Sequence, residues 1–136
     1  MEHRFSLQHE VPQPLEVVQG MLTDMVAFGD LHPLMDHVEN LGQGRYRLHE
    51  FKHLPFGLKL HFNYEAVTYV DTDNGSILYE AWPKGMQIAI CFTLTGEPEK
   101  TLVQEDIRIR GLPGFIGILK KAMVESHSTL FASFKL

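Results

Sequence analysis

The sequence predicts an α+β fold in which a curved antiparallel sheet of about seven strands wraps around one long C-terminal helix. Residues 112–136 repeat apolar side chains at steps of three and four, which is the period of one helix face. Most of the chain before them alternates apolar and polar residues, as in an antiparallel sheet with one wet face. The apolar face of such a sheet needs a cover, and we expect the C-terminal helix to supply it.

Composition limits the class of protein. The chain has 136 residues, 44% hydrophobic and 21% charged, so we expect one globular domain over residues 1–136. The net charge of -5 argues against a nucleic-acid partner, which needs a clustered basic face. The single cysteine, Cys91, excludes an intramolecular disulfide. The N-terminal residues lack the apolar core of a signal peptide and no apolar run approaches the length of a membrane span, so we expect a cytoplasmic protein.

The first elements are a strand and two short helices. Residues 3–11 alternate in polarity and predict a half-buried strand. Pro14 suits a first helical position and starts a short helix that runs to about Leu22. Asp24 can cap a second short helix, which stops before Pro33.

Six further strands follow as consecutive hairpins, because alternating segments are separated by turn residues. They are predicted near residues 37–41, 45–52, 58–70, 76–82, 87–95 and 101–110. Together with the first strand they make the seven-stranded sheet.

The C-terminal helix begins near Pro113, since proline at a first turn loses no hydrogen bond. About 22 helical residues span roughly 33 Å, which is longer than a typical strand. The apolar stripe of this helix consists of Leu112, Phe115, Ile116, Leu119, Ala122, Met123, Leu130, Phe131 and Phe134.

The hairpin loops are of two kinds, and alternate loops of a meander lie at the same end of the sheet. The loops at 42–44, 71–75 and 96–100 are polar, whereas those at 54–57, 82–86 and 111–115 combine Pro, Gly and large apolar side chains. Three apolar loops at one end predict the rim of an opening that apolar molecules enter. Alternatively, these side chains plug the end of the core. The predicted rim residues are Leu54, Phe56, Trp82, Met86, Leu112 and Phe115.

The element order, the segment from Val11 to Val18 (VPQPLEVV) and Leu31-His32-Pro33 resemble the START-related helix-grip superfamily, also called SRPBCC. That superfamily includes polyketide cyclase/dehydrase-like proteins, pollen-allergen-like carriers and lipid-transfer domains. Gln19 stands where tryptophan often follows the first motif. The resemblance implies a ligand cavity between the sheet and the terminal helix. It implies no catalytic residues, because the superfamily shares no catalytic set.

Candidates for the cavity wall come from the inward strand faces and the helix stripe. Glu105, Glu50 and His127 are the polar residues on these faces. A buried carboxylate needs a partner, so Glu105 either meets a cation or hydroxyl inside or is turned out by a bulge. The alternative for Glu50 is a position at the end of its strand, and the alternative for His127 is a hydrogen bond within the core or rim without ligand contact. The predicted cavity residues are Tyr64, Tyr79, Phe62, Ile90, Phe92, Glu105, Ile107, Leu119, Met123 and His127.

No metal site and no cofactor site are predicted. The chain has no glycine-rich phosphate loop, no nucleophile elbow and no His-Glu-x-x-His motif. Seven of the eight histidines lie within the first 61 residues, without the spacing of convergent ligands.

Three functions are compatible with these patterns. The first is a carrier or sensor that binds a small apolar or amphipathic molecule under the terminal helix. The second is a cyclase- or dehydratase-like enzyme that uses Glu105, His127 or a tyrosine as acid or base. The third is a protein-interaction module with a filled core and an apolar rim.

Overall fold

The computed structural model describes residues 2–33, 35–53, 55–71, 76–83 and 85–133, without the side chains at 52, 53, 55, 59, 60, 62 and 115. Three predicted site residues are affected. Leu54 lies outside the described residues, and the side chains of Phe62 and Phe115 lie outside the described side chains.

Within these ranges, seven strands form one antiparallel sheet in the spatial order β1-β7-β6-β5-β4-β3-β2. Strands β2 to β7 are consecutive hairpins, and β1 pairs with β7 from Glu2 opposite Arg110 to Val11 opposite Thr101. The strand number and the meander order confirm the predicted sheet. The strands are β1 Glu2–Val11, β2 Met35–Gly42, β3 Arg45–His53, β4 Lys59–Asp71, β5 Ser76–Ala81, β6 Gln87–Glu97 and β7 Lys100–Arg110.

Two short helices, α1 Leu15–Thr23 and α2 Met25–Leu31, follow β1 as predicted. The Asp24 carboxylate accepts hydrogen bonds from the backbone N–H groups of Val26 (3.1 Å) and Ala27 (3.3 Å). These bonds satisfy two donors that the first turn of α2 would otherwise leave unpaired.

The long helix α3 spans Pro113–Ala132 and has proline in its first turn, as predicted. Pro14, in contrast, lies one residue before α1 with an extended conformation, so it caps that helix and is not its first residue. In the described part of the chain, no helix is long and apolar enough to cross a membrane.

The core lies between the inward face of the sheet and α3. Gly29 lets α2 lie close against β2, since a Cβ at this position would be 2.6 Å from Val38 Cγ2. This contact holds the end of α2 beside the core. Buried apolar residues that form the core include Val11, Leu22, Phe28, Ile77, Phe92, Val103, Ile107, Ile109, Ile116, Met123, Leu130 and Phe131.

The strand predicted near residues 58–70 begins one residue later, because β4 starts at Lys59 and Leu58 is 61% exposed. The reason is a short turn at Pro55–Gly57, where Phe56 and Gly57 have φ of 66° and 74°. Backbone in this left-handed region cannot continue a strand.

Candidate functional site

A cavity of about 360 Å³ lies between the sheet and α3. Its volume is within the range of small-molecule pockets, roughly 300–1,000 Å³. The polar residues of its wall are His32, Glu50, Tyr64, Tyr79, Ser126 and His127. The rest of the wall consists of Met25, Phe28, Met35, Leu48, Phe51, Ala66, Ala81, Pro83, Met86, Ile88, Ile90, Ile118, Leu119, Ala122 and Met123. The wall is therefore mainly apolar, with a few polar groups.

The cavity wall contains many of the residues predicted from the strand faces and the helix stripe. Tyr64 and Tyr79 come from neighbouring strands, and the others from β6 and α3. The predicted residues on the wall are Tyr64, Tyr79, Ile90, Leu119, Met123 and His127.

Three predicted residues lie elsewhere: Phe92, Glu105 and Ile107 are buried but are not among the described residues of the wall. The Phe92 ring packs edge-on against Tyr79 at 5.2 Å and lies 6.2 Å from the Phe131 ring. An alternating pattern identifies the inward face of a strand. It does not distinguish an inward residue that reaches a cavity from one that packs against a helix.

The predicted rim is largely exposed. Phe56 is 99% exposed and Leu112 63%, while Trp82 is 44% exposed. Met86 is half-buried and is part of the cavity wall. Ile118 is 52% exposed and also lines the cavity, so the cavity reaches the surface near the start of α3. Because Phe56 is exposed, it does not plug the core.

Behind the cavity wall, Glu105 lies between two histidines. Its carboxylate accepts hydrogen bonds from His127 Nδ1 and from His9 Nε2, each 2.6 Å long. Glu105 is 0% exposed. The β1–β7 pairing brings His9 to this carboxylate, since Leu7 and His9 face Glu105 and Val103. The alternative of a bulge is wrong, because the register of β7 is continuous with both neighbours.

Burial by itself raises the pKa of Glu105, but the hydrogen bonds from His127 and His9 outweigh it, and the net pKa is lowered. Glu105 is therefore ionised at neutral pH and accepts both bonds. Since Nδ1 of His127 donates to Glu105, Nε2 is the nitrogen left to interact with a molecule in the cavity. This carboxylate–imidazole arrangement orients a histidine for proton transfer or for hydrogen bonding.

His32 lies beside His127 on the wall, with the two rings at 83° and their centroids 5.7 Å apart. Burial, with the charge of His127, lowers the pKa of His32 to about 3, although Glu105 acts in the opposite direction. His32 is therefore neutral at physiological pH. His32 follows α2 and belongs to no alternating or helical apolar pattern. For that reason it is not among the predicted cavity residues.

Glu50 was also not among the predicted site residues. It projects from β3 into the cavity wall and forms a hydrogen bond with the Tyr64 side chain. Burial raises the pKa of Glu50 to about 7, while Tyr64 and His127 act to lower it. Its alternation with Tyr46 and Leu48 was the signal that placed it on the inward face.

The Tyr79 hydroxyl is buried in the wall and has no hydrogen-bond partner among the described residues. Burial raises the pKa of Tyr79, so the hydroxyl remains protonated. A buried hydroxyl without a partner is unfavourable, and a polar atom inside the cavity can supply one.

A second, more open groove of about 550 Å³ crosses the opposite face of the sheet. Its wall contains Arg4, Ser6, Asp106 and Arg108, most of which carry charge. The Ser6 hydroxyl already donates to Asp106, at 2.8 Å. The apolar cavity is therefore the stronger candidate for a small-molecule site.

No protein-family model matches the chain. No curated protein matches it either. Solved structures with similar folds include a START superfamily protein from Mycobacterium smegmatis, 19% identical with a TM-score of 0.75, covering 97% of this chain and 93% of that chain. Another is the Zhui aromatase/cyclase from Streptomyces sp. R1128, 12% identical with a TM-score of 0.71, covering 99% and 94%. A third is Ara h 8.0201, 12% identical with a TM-score of 0.65, covering 98% of each chain.

At these identities the similarity establishes the fold alone. The chain has the START-like helix-grip fold, which confirms the architecture that the sequence predicts.

Proposed function

We propose that this protein binds a small amphipathic molecule in the cavity under α3 and acts as a carrier or sensor of it. The observation that carries the proposal is the mainly apolar wall around a space of about 360 Å³ with an unpartnered Tyr79 hydroxyl. An apolar ligand body would remove the wall from water, and one polar atom would satisfy the hydroxyl.

The other polar groups of the wall favour a ligand with more than one polar atom. Glu50 and Tyr64 project from neighbouring strands, and His127 and His32 lie where α3 passes the end of α2. With a pKa of about 7, the Glu50 carboxyl is present in both protonation states near neutral pH and can donate or accept. A ligand with polar atoms at two positions would engage both groups.

The fold comparisons are compatible with this function. The similar structures include a START superfamily protein and an aromatase/cyclase. The presence of a cavity argues against a module with a filled core. The exposed rim side chains Phe56, Leu112 and Trp82 suit the entry of an apolar molecule.

Native mass spectrometry of protein purified from its host tests for a bound molecule. We expect a co-purifying small molecule with a mass suited to the cavity.

Ala122→Phe provides the site-directed test, because Ala122 lines the cavity on α3 and a phenyl ring there would fill part of it. In titrations with the fluorescent dye 8-anilinonaphthalene-1-sulfonate, we expect this change to weaken binding by about tenfold or more.

The matched control is Ala132→Phe, the same substitution at an exposed position at the end of the same helix. It should leave dye affinity unchanged, and both variants should retain the circular dichroism spectrum of the parent. Equal dye affinity for the Ala122 and Ala132 variants, with no co-purifying molecule, would exclude binding in this cavity.

A second candidate function is acid–base catalysis in the same cavity, which the His127–Glu105 pair favours. An ionised Glu105 holds Nδ1–H of His127, and Nε2 can then take a proton from a bound molecule. The negative charge of Glu105 also stabilises the imidazolium that forms, since its Oε1 lies 2.6 Å from His127 Nδ1. Cyclisation or dehydration would use such a group.

His127→Gln separates the two functions, since glutamine can still donate to Glu105 but cannot act as a base. If the protein is an enzyme, the co-purified molecule or its precursor should be converted by the parent and left unchanged by the variant, with binding retained. Product is detected as a mass change, such as the loss of one water. Unchanged conversion by the variant would remove His127 from the chemistry, and no conversion by the parent would leave the carrier function.

A further inference from the structure

The outer face of the β2–β3 hairpin brings two histidines together. His37 on β2 is directly opposite His49 on β3, and Glu39 follows two residues after His37 on the same face. The Gly42-Gln43-Gly44 turn sets this register, with all three residues at positive φ. The inward neighbours Val38 and Leu48 are also paired, so the histidines point away from the cavity.

The three side chains are close enough to share one ion. Glu39 Oε1 lies 2.6 Å from His49 Nε2 and 3.9 Å from His37 Nε2, and all the ligand atoms are within 4.8 Å of one another. Zinc bonds of about 2.0–2.1 Å in tetrahedral geometry place ligand atoms about 3.4 Å apart. The observed separations bracket that value. Since His37 is 56% exposed and Glu39 49%, small side-chain rotations can reach it.

The charges around the group favour a cation. Arg47 is opposite Glu39 across the strands, but its guanidinium binds Glu65 at 3.1 Å and Asn63 at 3.0 Å. Glu39 therefore contacts the two histidines and no arginine in the described structure. Asp36 Oδ2 lies 3.6 Å from His37 Nδ1 and adds a second negative charge.

A local irregularity in β2 supports the same arrangement. The register shifts between Met35 and His37, which leaves Asp36 as an extra residue in the strand. A bulge of this kind re-aims the side chains beside it. The His37 and His49 rings are stacked with centroids 3.9 Å apart. This stacking brings both imidazoles beside the same Glu39 carboxylate.

We propose that His37, Glu39 and His49 form a binding site for one divalent transition-metal ion, of which Zn²⁺ is the test case. Two imidazoles and one carboxylate are ligands of zinc, copper and nickel, whereas magnesium and calcium prefer oxygen alone. Three protein ligands leave at least one position for water or for an atom of another molecule. The ion would join the edge strand β2 to β3.

This site is independent of the proposed ligand function, because it lies on the other face of the sheet. Spacing along the sequence shows no metal motif here, since the ligands come from two strands. The symmetric placement of His37 and His49 about the 42–44 turn is the signal that predicts their pairing.

Titration calorimetry of the full chain with Zn²⁺, after treatment with a chelator and its removal, tests the site. At pH 7.5 we expect saturable binding of one ion per chain. His37→Asn and His49→Asn should each weaken binding by at least about tenfold, and Glu39→Gln should weaken it less. The parent should also melt at a higher temperature with Zn²⁺ than without it.

The matched control is His61→Asn, which removes an exposed histidine of β4 outside the group. It should leave zinc affinity and stoichiometry unchanged. The ligand side chains are partly or fully exposed, so their variants should retain the parent's circular dichroism spectrum. Absence of saturable binding by the parent, or full binding by the His37→Asn/His49→Asn double variant, would overturn the proposal. The absorption spectrum of the Co²⁺-substituted protein is a second check. A spectrum that shows no nitrogen coordination of Co²⁺ would also overturn the proposal.

Discussion

Replacing Glu105 with alanine is expected to lower the free energy of unfolding by about 3–5 kcal/mol, because it leaves two buried imidazole N–H donors without their acceptor. The carboxylate is 0% exposed and accepts hydrogen bonds from two imidazoles. Without it, His9 and His127 would both lose an acceptor in the protein interior. Denaturant unfolding monitored by circular dichroism measures the difference.

Glu105→Gln should cost less than alanine, since an amide oxygen can still accept one of the two bonds. The matched control is Asp106→Asn, an acid-to-amide change at the next residue, whose side chain is exposed and bonds Ser6. It should change stability by no more than about 0.5–1 kcal/mol. Equal stability of the Glu105 and Asp106 variants would show that the hydrogen bonds of Glu105 with His9 and His127 do not stabilise the fold.

The same carboxylate contributes to the stability of the fold against acid. The pKa of Glu105 is lowered in the folded protein, so the unfolded chain binds its proton first as the pH falls. The stabilisation is complete above the unfolded value, 4.5, and is lost as the pH falls through the lower folded value. The acid unfolding curve of Glu105→Gln should lack this contribution.

Glu50 is expected to have the opposite pH dependence, because its pKa is raised from 4.5 to about 7. Between these values the folded protein keeps a proton that the unfolded chain releases, so stability falls as the pH rises through this window and is level above it. For a partly buried carboxyl we expect a loss of about 1–3 kcal/mol, after allowing for solvent screening.

Glu50→Gln should remove that loss, because an amide has no proton to release and can still bond Tyr64. The variant should therefore be more stable than the parent at pH 8 and closer to it at pH 5, as measured by urea unfolding at both pH values. Glu80→Gln, on the outward side of β5, is the control for an acid-to-amide change on a strand. If the parent and Glu50→Gln show the same pH dependence, Glu50 titrates as an ordinary carboxyl.

Strand alternation placed Tyr64, Tyr79 and Ile90 on the inward face, and the helix stripe placed Met123 and His127 there. Such patterns report one face of one element. Whether an inward side chain meets a cavity depends on the distance between elements, which is why Phe92 and Ile107 pack in the core.

The polar site needed still more information. Glu105 and His127 are recognisable in the sequence as polar residues on apolar faces. The second histidine that bonds Glu105 is His9, which lies on β1 almost a hundred residues earlier in the chain. Its contact depends on the pairing of β1 with β7. His32 has no periodic signal at all, since it follows α2 in an extended conformation.

The element order, the meander and the amphipathic α3 can be predicted from local periodicity and turn residues. The contacts of Glu105 with His9 and His127, the raised pKa of Glu50 in the cavity wall and the pairing of His37 with His49 depend on how the elements pack. The physical reason is that hydrogen bonding and desolvation depend on distances between residues that are far apart in the chain. Periodicity determines which way a side chain points, and the packing of several elements determines what it meets.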